Sequence, residues 1–422
     1  MFSRVKTNKA ILGWVVCVLA AIFFCYEYFL RITPSVMVEE LMSTFRVSAT
    51  KLGMLSAFFY FTYTPMQLIV GILLDLYGSR KILTLAVATC TLGSYIFGAT
   101  DSLVVAAFGR ALIGFGSAFA FVCVLKLAHL WLPRRFFAFF VGLTTMLGMF
   151  GAMFQVTIFS GMVKEIGWRY TIDLGTIFGV FLLPLVWLVI RDKPAGGEDD
   201  ALRLPVRYQD VFRDLLKLVS HPQLWLSGTI ACLMYLSLSL FAELWGIPFL
   251  TSVYQLTPGN AASACAMVYL GWLVGSPLVG YFSDITRSRR ILLVVGCLLS
   301  FVTISLIVYF PIFDLILLKW LLFLFGVFTS AEILCFAVSC EHSPKPLVAT
   351  ATAFTNFITM LGAVVAQPLI GKLLDIFWSG DYLGVIRNYS AANYQLAMSI
   401  LPVAMLIGLA LSFFIKENGN KK

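Results

Sequence analysis

The sequence is short of charge. Of its 422 residues, 12% are Asp, Glu, Lys or Arg and only 3 are His, while 60% are hydrophobic and the mean hydropathy is +0.93. Soluble domains carry about 25% charged residues, so this supply cannot build a water-facing surface. A soluble enzyme, a nucleic-acid binder and a disordered chain are excluded, and an integral membrane protein remains. Nine cysteines show no Cys-x-x-Cys pair and no Cys/His metal spacing, and they read as small buried hydrophobes. There is no Gly-x-x-x-x-Gly-Lys nucleotide loop, no His/Glu metal constellation and no polar stretch large enough for an ATP-binding domain. No catalysis, cofactor or metal is therefore expected. Amides are scarce too: Asn356 is the one asparagine within an apolar run, which leaves a sugar site poorly supplied.

What is present is apolar length. A helix needs about 20 mainly apolar residues to cross a hydrocarbon layer of about 30 Å, and lipid admits only helices or closed barrels. Twelve such runs are expected, at 11–33, 50–74, 82–99, 103–126, 137–160, 170–190, 223–250, 261–282, 291–310, 315–338, 349–374 and 394–415. The net charge of +9 gathers in short segments between them, such as Arg80-Lys81, Arg134-Arg135 and Arg287 to Arg290. That bias predicts both termini in the cytoplasm, and the first run, which lacks a short cleavable core followed by a small-residue site, reads as a retained helix. The polar stretch 192–222 is the longest interruption and divides the chain into an N-terminal unit, 1–191, and a C-terminal unit, 223–422. The two units echo one another. Gly71-Ile-Leu-Leu-Asp75 then Ser79-Arg80-Lys81 recurs as Gly280-Tyr-Phe-Ser-Asp284 then Ser288-Arg289-Arg290, and Thr145-Met-Leu-Gly148 recurs as Thr359-Met-Leu-Gly362. Glu27 with Pro34 is matched by Glu243 with Pro248. Three echoes in the same order argue for a duplicated six-helix bundle.

Gly71-x-x-x-Asp75-x-x-Gly78-Ser79-Arg80-Lys81 sits in a tight loop between the second and third runs. A glycine there lets the second helix approach a neighbour, and Asp75 suits a helix N-terminus with its positive dipole. This loop resembles the signature of the major facilitator superfamily, and the resemblance covers essentially the whole chain. It implies an all-α membrane fold of twelve transmembrane helices in two pseudo-symmetric six-helix bundles. It also implies a cytoplasmic latch at Gly71, Asp75, Gly78 and Arg80, with a weaker second copy at Asp284, Arg289 and Arg290. Ser79 stands where the family often has a basic residue, which lightens the expected latch. Arg110-Ala-Leu-Ile-Gly114-Phe-Gly116 is similar to the family's RxxxGxG motif, whereas the fifth run lacks the Gly-Pro pair of its drug antiporters. Short phrases around Tyr26 to Met37, Gly114 to Ala120 and Glu243 to Phe249 resemble the phagosomal branch that takes up amino acids and nucleosides in intracellular bacteria.

Ionisable residues inside spans are costly and face a cavity or one another. Here they are Glu27, Arg31, Arg110, Lys126, Asp173, Glu243, Lys319 and Glu332; all but Asp173 fall on runs 1, 4, 7 and 10, which line the central cavity in the family resembled. Glu27 and Arg31 share a helix face at i, i+4. At 1.5 Å per residue Glu27 lies about 24 Å above Ile11, a depth that Arg110 also reaches. A cluster of Glu27, Arg31 and Arg110 is expected, with Arg110 seeking a counter-charge, and Glu27 as the proton-coupling site, with Glu243 or Glu332 as alternatives. Tyr28, Trp245, Asn356, Gln367 and Gln155 are candidates for substrate contact or for interhelical bonding. Asp173 is expected to pair with Arg169, four residues before it. Mixed signs suit a zwitterion, Arg31 or Arg110 for its carboxylate and Glu243 or Glu332 for its amine.

The expected protein is a monomeric secondary transporter of a bacterial inner membrane. Its expected partners are protons, the lipid bilayer and a small-molecule substrate, an amino acid or small peptide being favoured, with no nucleic acid. The rivals are a metabolite or drug exporter and, more remotely, a sensor on the same scaffold, which the short termini speak against.

Overall fold

A computed structural model describes residues 2–192, 220–311, 314–344, 347–384 and 386–417. The expected linker, 192–222, lies almost wholly outside these. Among the described residues the chain is helical throughout, apart from a two-residue antiparallel ladder that joins Tyr382 to Arg387 and Leu383 to Ile386. Among the described residues eleven helices are long and apolar enough to cross a bilayer, and a helix pair bent by 63°, taken as one span, makes twelve.

These spans are α1 (Ile11–Val36), α2 (Ala49–Met66 with Val70–Tyr77), α3 (Ser79–Ala99), α4 (Leu103–Trp131), α5 (Arg135–Ile166), α6 (Trp168–Val189), α7 (Pro222–Val253), α8 (Pro258–Thr286), α9 (Arg289–Tyr309), α10 (Leu315–Glu341), α11 (Val348–Ile376) and α12 (Ala391–Ser412). The near face is here the side of the α2–α3 turn, and the far face its opposite.

Polar residues start the helices where hydropathy alone does not. Thr257 accepts from Asn260 N ahead of Pro258, Ser288 accepts from Ile291 N, and Ser390 with Asn393 forms a capping box. Several spans depart from a regular helix, among them α2, α7 and α5. In α2 the ladder tightens at residues 67–69 into amide bonds to the third preceding carbonyl, and the span bends by 63°. In α7 the stretch Ser237–Trp245 widens into a π-helix, where Ser237 and Ser239 turn back to bond the carbonyls of Met234 and Tyr235. A shorter π-turn, Gln155–Phe159, interrupts α5.

Both halves are tied at their near ends in the same way. The N-terminus of α3 is capped by Asp192, which follows α6 and accepts from Arg80 N at 2.9 Å; the N-terminus of α9 is capped by Glu417, which follows α12 and accepts from Arg290 N at 3.1 Å. This is the duplication read from the loop motifs, now carried by a side chain that the motifs do not contain. Tryptophans stacked under guanidinium groups mark the two faces: Trp187 under Arg80 at the near face, Trp168 under Arg169 and Trp378 under Arg387 at the far face. Between them runs a belt of exposed Phe, Leu, Ile and Val, such as Phe181, Val180 and Phe150, which is the surface lipid covers.

Close helix contact depends on glycine. A Cβ on Gly114 of α4 would stand 2.0 Å from the Phe59 carbonyl of α2, and one on Gly326 of α10 would stand 2.2 Å from the Val268 carbonyl of α8. Gly71, Gly142 and Gly280, in the near halves of α2, α5 and α8, have nothing within 4 Å of an added Cβ. The expectation that Gly71 brings α2 against a neighbour is therefore corrected: Gly114 makes that contact. Gly114→Val should cost about 1–3 kcal/mol through overpacking and Gly280→Ala less than about 0.5 kcal/mol, as read from thermal unfolding of the detergent-purified protein. Equal melting of the two variants would contradict the packing described.

Candidate functional site

Four charged residues of the spans, Glu27, Arg31, Arg110 and Glu243, meet where the two halves face each other. Arg31 is 3% exposed and Glu27 is fully buried. One turn apart on α1, they pair through Arg31 Nη2, 3.0 Å from each carboxylate oxygen of Glu27. Arg31 Nη1 donates to the Tyr235 hydroxyl of α7 at 3.2 Å, and so crosses from one half to the other. The guanidinium lies 4.4 Å from the Tyr28 ring, 4.9 Å from Tyr63 and 5.3 Å from Phe59, so ring faces supply attraction on the sides that carry no carboxylate.

A second bond crosses in the opposite sense. The Tyr60 hydroxyl of α2 donates to Glu243 Oε2, on the π-helical stretch of α7. Among the described residues Glu243 Oε1 has no hydrogen-bond partner, nor do Arg31 Nε, the Tyr269 hydroxyl, or either amide atom of Gln155. Buried polar atoms are usually paired; here several unspent donors and acceptors sit around one seam.

Among the described residues Arg110 joins the group without a direct ion pair, attracted by Glu243 only at a distance. Its Nη1 and Nη2 donate to the carbonyls of Leu30 and Arg31, at 2.9 and 3.1 Å. The reason lies in α1: Pro34 has no N–H to offer Leu30, so the helix ends with open carbonyls and the guanidinium caps its negative end. The expected carboxylate partner of Arg110 is thus replaced by a helix C-terminus.

Other candidates lie elsewhere. Lys126 Nζ donates to Leu74 O at 2.6 Å and to Asp75 Oδ1 at 2.8 Å, which places it in the α2–α3 loop and not in the seam. Asp75 thus bonds a lysine of its own half, while Asp192 takes the helix-capping position foreseen for Asp75. Gly78 adopts φ +82°, a Cβ there would meet the Asp192 carboxylate, and Arg80 Nε donates to Trp187 O. In the second copy Arg289 bonds Asp284 at 3.0 Å and Glu341 at 3.2 Å.

Trp245 donates to Gln367 O and Gln367 to Ser239 O, which makes both of them α7–α11 fastenings. Asn356 of α11 donates to Gln67 of α2 across the halves at 3.1 Å. Glu332, 5% exposed, lies in the α10 break next to the apolar cluster of Ala331, Leu334 and Cys335, and among the described residues it bonds none of the seam residues. Arg169 pairs with Asp101 at 2.5 Å, not with Asp173 as its spacing implied.

Sequence reasoning missed Tyr60, Tyr63, Tyr235 and Tyr269. Tyr60 and Tyr63 share a face of α2 at i, i+3, the one signal that was available. Among the described residues no group of three or more His, Cys, Asp or Glu could hold a metal ion.

Two helical halves joined across a buried, polar, partly unspent seam define a membrane transporter scaffold. The chain belongs to the Major Facilitator Superfamily, whose sequence profile matches residues 18–367. It is 23% identical over 380 residues to the membrane sensor protein UhpC of Escherichia coli (strain K12), spanning 84% of this chain and 85% of that one. It is 22% identical over 399 residues to the probable galactarate/D-glucarate transporter GarP of the same strain, spanning 86% and 88%. In structure it resembles a bacterial homologue of the human lysosomal transporter Spinster, solved inward-facing and unoccupied, with TM-score 0.80 at 17% identity over 97% of this chain and 99% of that one.

The seam makes a stability prediction. Glu27→Gln should destabilise the protein by about 3–5 kcal/mol by leaving the Arg31 charge without its carboxylate, and adding Arg31→Gln should recover much of the loss. Thermal unfolding of the single and double variants reads this, and a single variant as stable as the parent would refute the pairing.

Proposed function

We propose that this protein is a proton-coupled secondary transporter that takes up a small carboxylate-bearing nutrient, an amino acid or small peptide first, by rocking units 1–191 and 223–422 about the buried seam. The observation that carries the reading is that both central bonds, Arg31 to Tyr235 and Tyr60 to Glu243, join opposite halves. The rocking motion must break them, so whatever competes for those atoms drives the motion.

Each group then has a role. Arg31 has an unpartnered Nε and a second nitrogen held only by a phenol, which leaves donor capacity for a substrate carboxylate. Glu243 carries the proton: one oxygen is unspent, and neutralising the carboxyl weakens the charge-assisted bond from Tyr60. Glu27 is the less apt carrier, because both of its oxygens serve Arg31. Gly78, Asp75, Arg80 and Lys126, with Asp284, Arg289 and Arg290, form the near-face gate. The basic loops support a cytoplasmic near face in a bacterial inner membrane. The galactarate and D-glucarate named for GarP are carboxylic acids, which supports an acid substrate, and the mixed charges of the seam support an amino acid within that class.

Proteoliposomes with an inward proton gradient test this on a panel of amino acids, dipeptides, sugar acids, neutral sugars and nucleosides. Carboxylate-bearing compounds should accumulate and neutral ones should not; uptake of neutral sugars alone would refute the substrate class. Glu243→Gln should keep substrate exchange but lose gradient-driven accumulation. If Glu27→Gln shows that behaviour while Glu243→Gln does not, Glu27 is the coupling carboxylate. Efflux without uptake would indicate an exporter, and binding without flux a sensor like the UhpC relative.

A further inference from the structure

The far-face end of α2 lacks a cap of its own: Ser48 makes no side-chain bond to the amides that follow it. Those amides are satisfied from the other half of the molecule. Thr50 N donates to Asp375 Oδ2 at 3.0 Å, the Thr50 hydroxyl donates to the same oxygen at 2.5 Å, and Ala49 N donates to the Tyr389 hydroxyl at 3.1 Å. Asp375, in the last turn of α11, is held in turn by Arg387 Nη1 at 3.0 Å and by the Tyr389 hydroxyl at 2.6 Å.

Behind this cap the two helices touch backbone to backbone. A Cβ on Gly53 would stand 2.5 Å from Gln367 O, and one on Gly371 would stand 2.2 Å from Ala49 O. Arg387 and Tyr389 border a polar pocket of about 410 Å³ that also involves Glu39, Ser252 and Gln255, so the far side of the cap reaches solvent. Ser35, 1% exposed in the last turn of α1, is buried where that turn packs on the π-helical stretch of α7.

We propose that Asp375, positioned by Arg387 and Tyr389, is the far-face gate: it clamps the N-terminus of α2 shut in this state and must release Thr50 before that face can open. A carboxylate at a helix N-terminus gains both hydrogen bonds and the favourable end of the dipole. The two glycines let the surfaces close fully and bear no charge, so the Asp375 carboxylate is the charged fastening of this α2–α11 contact. The far-face gate deepens the transporter reading by naming how one face is held.

The test needs no substrate and no membrane. Ser35→Cys is introduced into the full chain, and its extra maleimide labelling over the parent's native thiols is followed by mass spectrometry. Asp375→Asn should raise the Ser35→Cys labelling rate roughly tenfold, the weight of about one charge-assisted hydrogen bond. Tyr389→Phe, which keeps the carboxylate, should raise it less, and Asp381→Asn in the neighbouring loop should not change it. Unchanged labelling in both Asp375→Asn and Tyr389→Phe overturns the proposal; if Asp375→Asn does not fold, Tyr389→Phe alone decides. A positive result beside failed nutrient uptake would refute the substrate reading and leave the gate standing.

Discussion

A guanidinium in the middle of a membrane protein is tolerable only while its surroundings keep it paired, and Arg31 is the residue on which that constraint bears hardest. Its solution uses both halves: Glu27 on its own helix, Tyr235 on the opposite one, and ring faces on the remaining sides. Any movement of the halves changes the company that Arg31 keeps. The same holds for Glu243 and Tyr60 in the reverse direction. The arrangement links electrostatics to shape, because the price of an unpaired charge at this depth is met only in conformations that supply a partner. The π-helical stretch of α7 belongs to this solution, since it carries Glu243 and follows directly on Tyr235.

Packing is uneven along the membrane normal. In the far half α2 and α11 meet at glycine-mediated backbone contacts and share the Asp375 cap, whereas Gly71, Gly142 and Gly280 in the near half stand clear of neighbours. Between them the Gln67–Asn356 bond marks the level at which α2 breaks and bends. Asp75 bonds Lys126 within its own half at the near face, and Asp375 bonds Thr50 across the halves at the far face.

The spans were legible because hydropathy reports burial in lipid directly, and the Glu27–Arg31 pair was legible because i, i+4 spacing fixes a common face. Features that depend on another helix were not. Arg169 chose Asp101 over Asp173 because its guanidinium reaches across to the carbonyls of Gly98 and Thr100, a direction that spacing within α6 does not report. Lys126 was grouped with the cavity residues because it falls within the fourth run, but Asp75 approaches it from α2. Tyr60 and Tyr235 could not be told from interface aromatics, since their hydroxyls matter only through partners on the other half. Asp375 falls just past the apolar run 349–374, and its partner Thr50 lies 325 positions away. The bend of α2 and the π-turns left no trace in hydropathy, which is blind to helix pitch.

Trp168 and Trp187 lie near opposite ends of α6, each stacked beneath an arginine. At 1.5 Å per residue, positions 168 and 187 are about 29 Å apart along the axis, close to the hydrocarbon depth of an ordinary bilayer. The two ends differ in what holds them: Trp168 is buried and donates to Thr44 in the segment that joins α1 to α2, whereas Trp187 is 45% exposed. The far end of α6 is thus fastened within the protein, while the near end meets the headgroup region through an exposed ring. Because Arg80 stacks on that ring and belongs to the α2–α3 turn, the lipid beside Trp187 borders directly on the near-face loop.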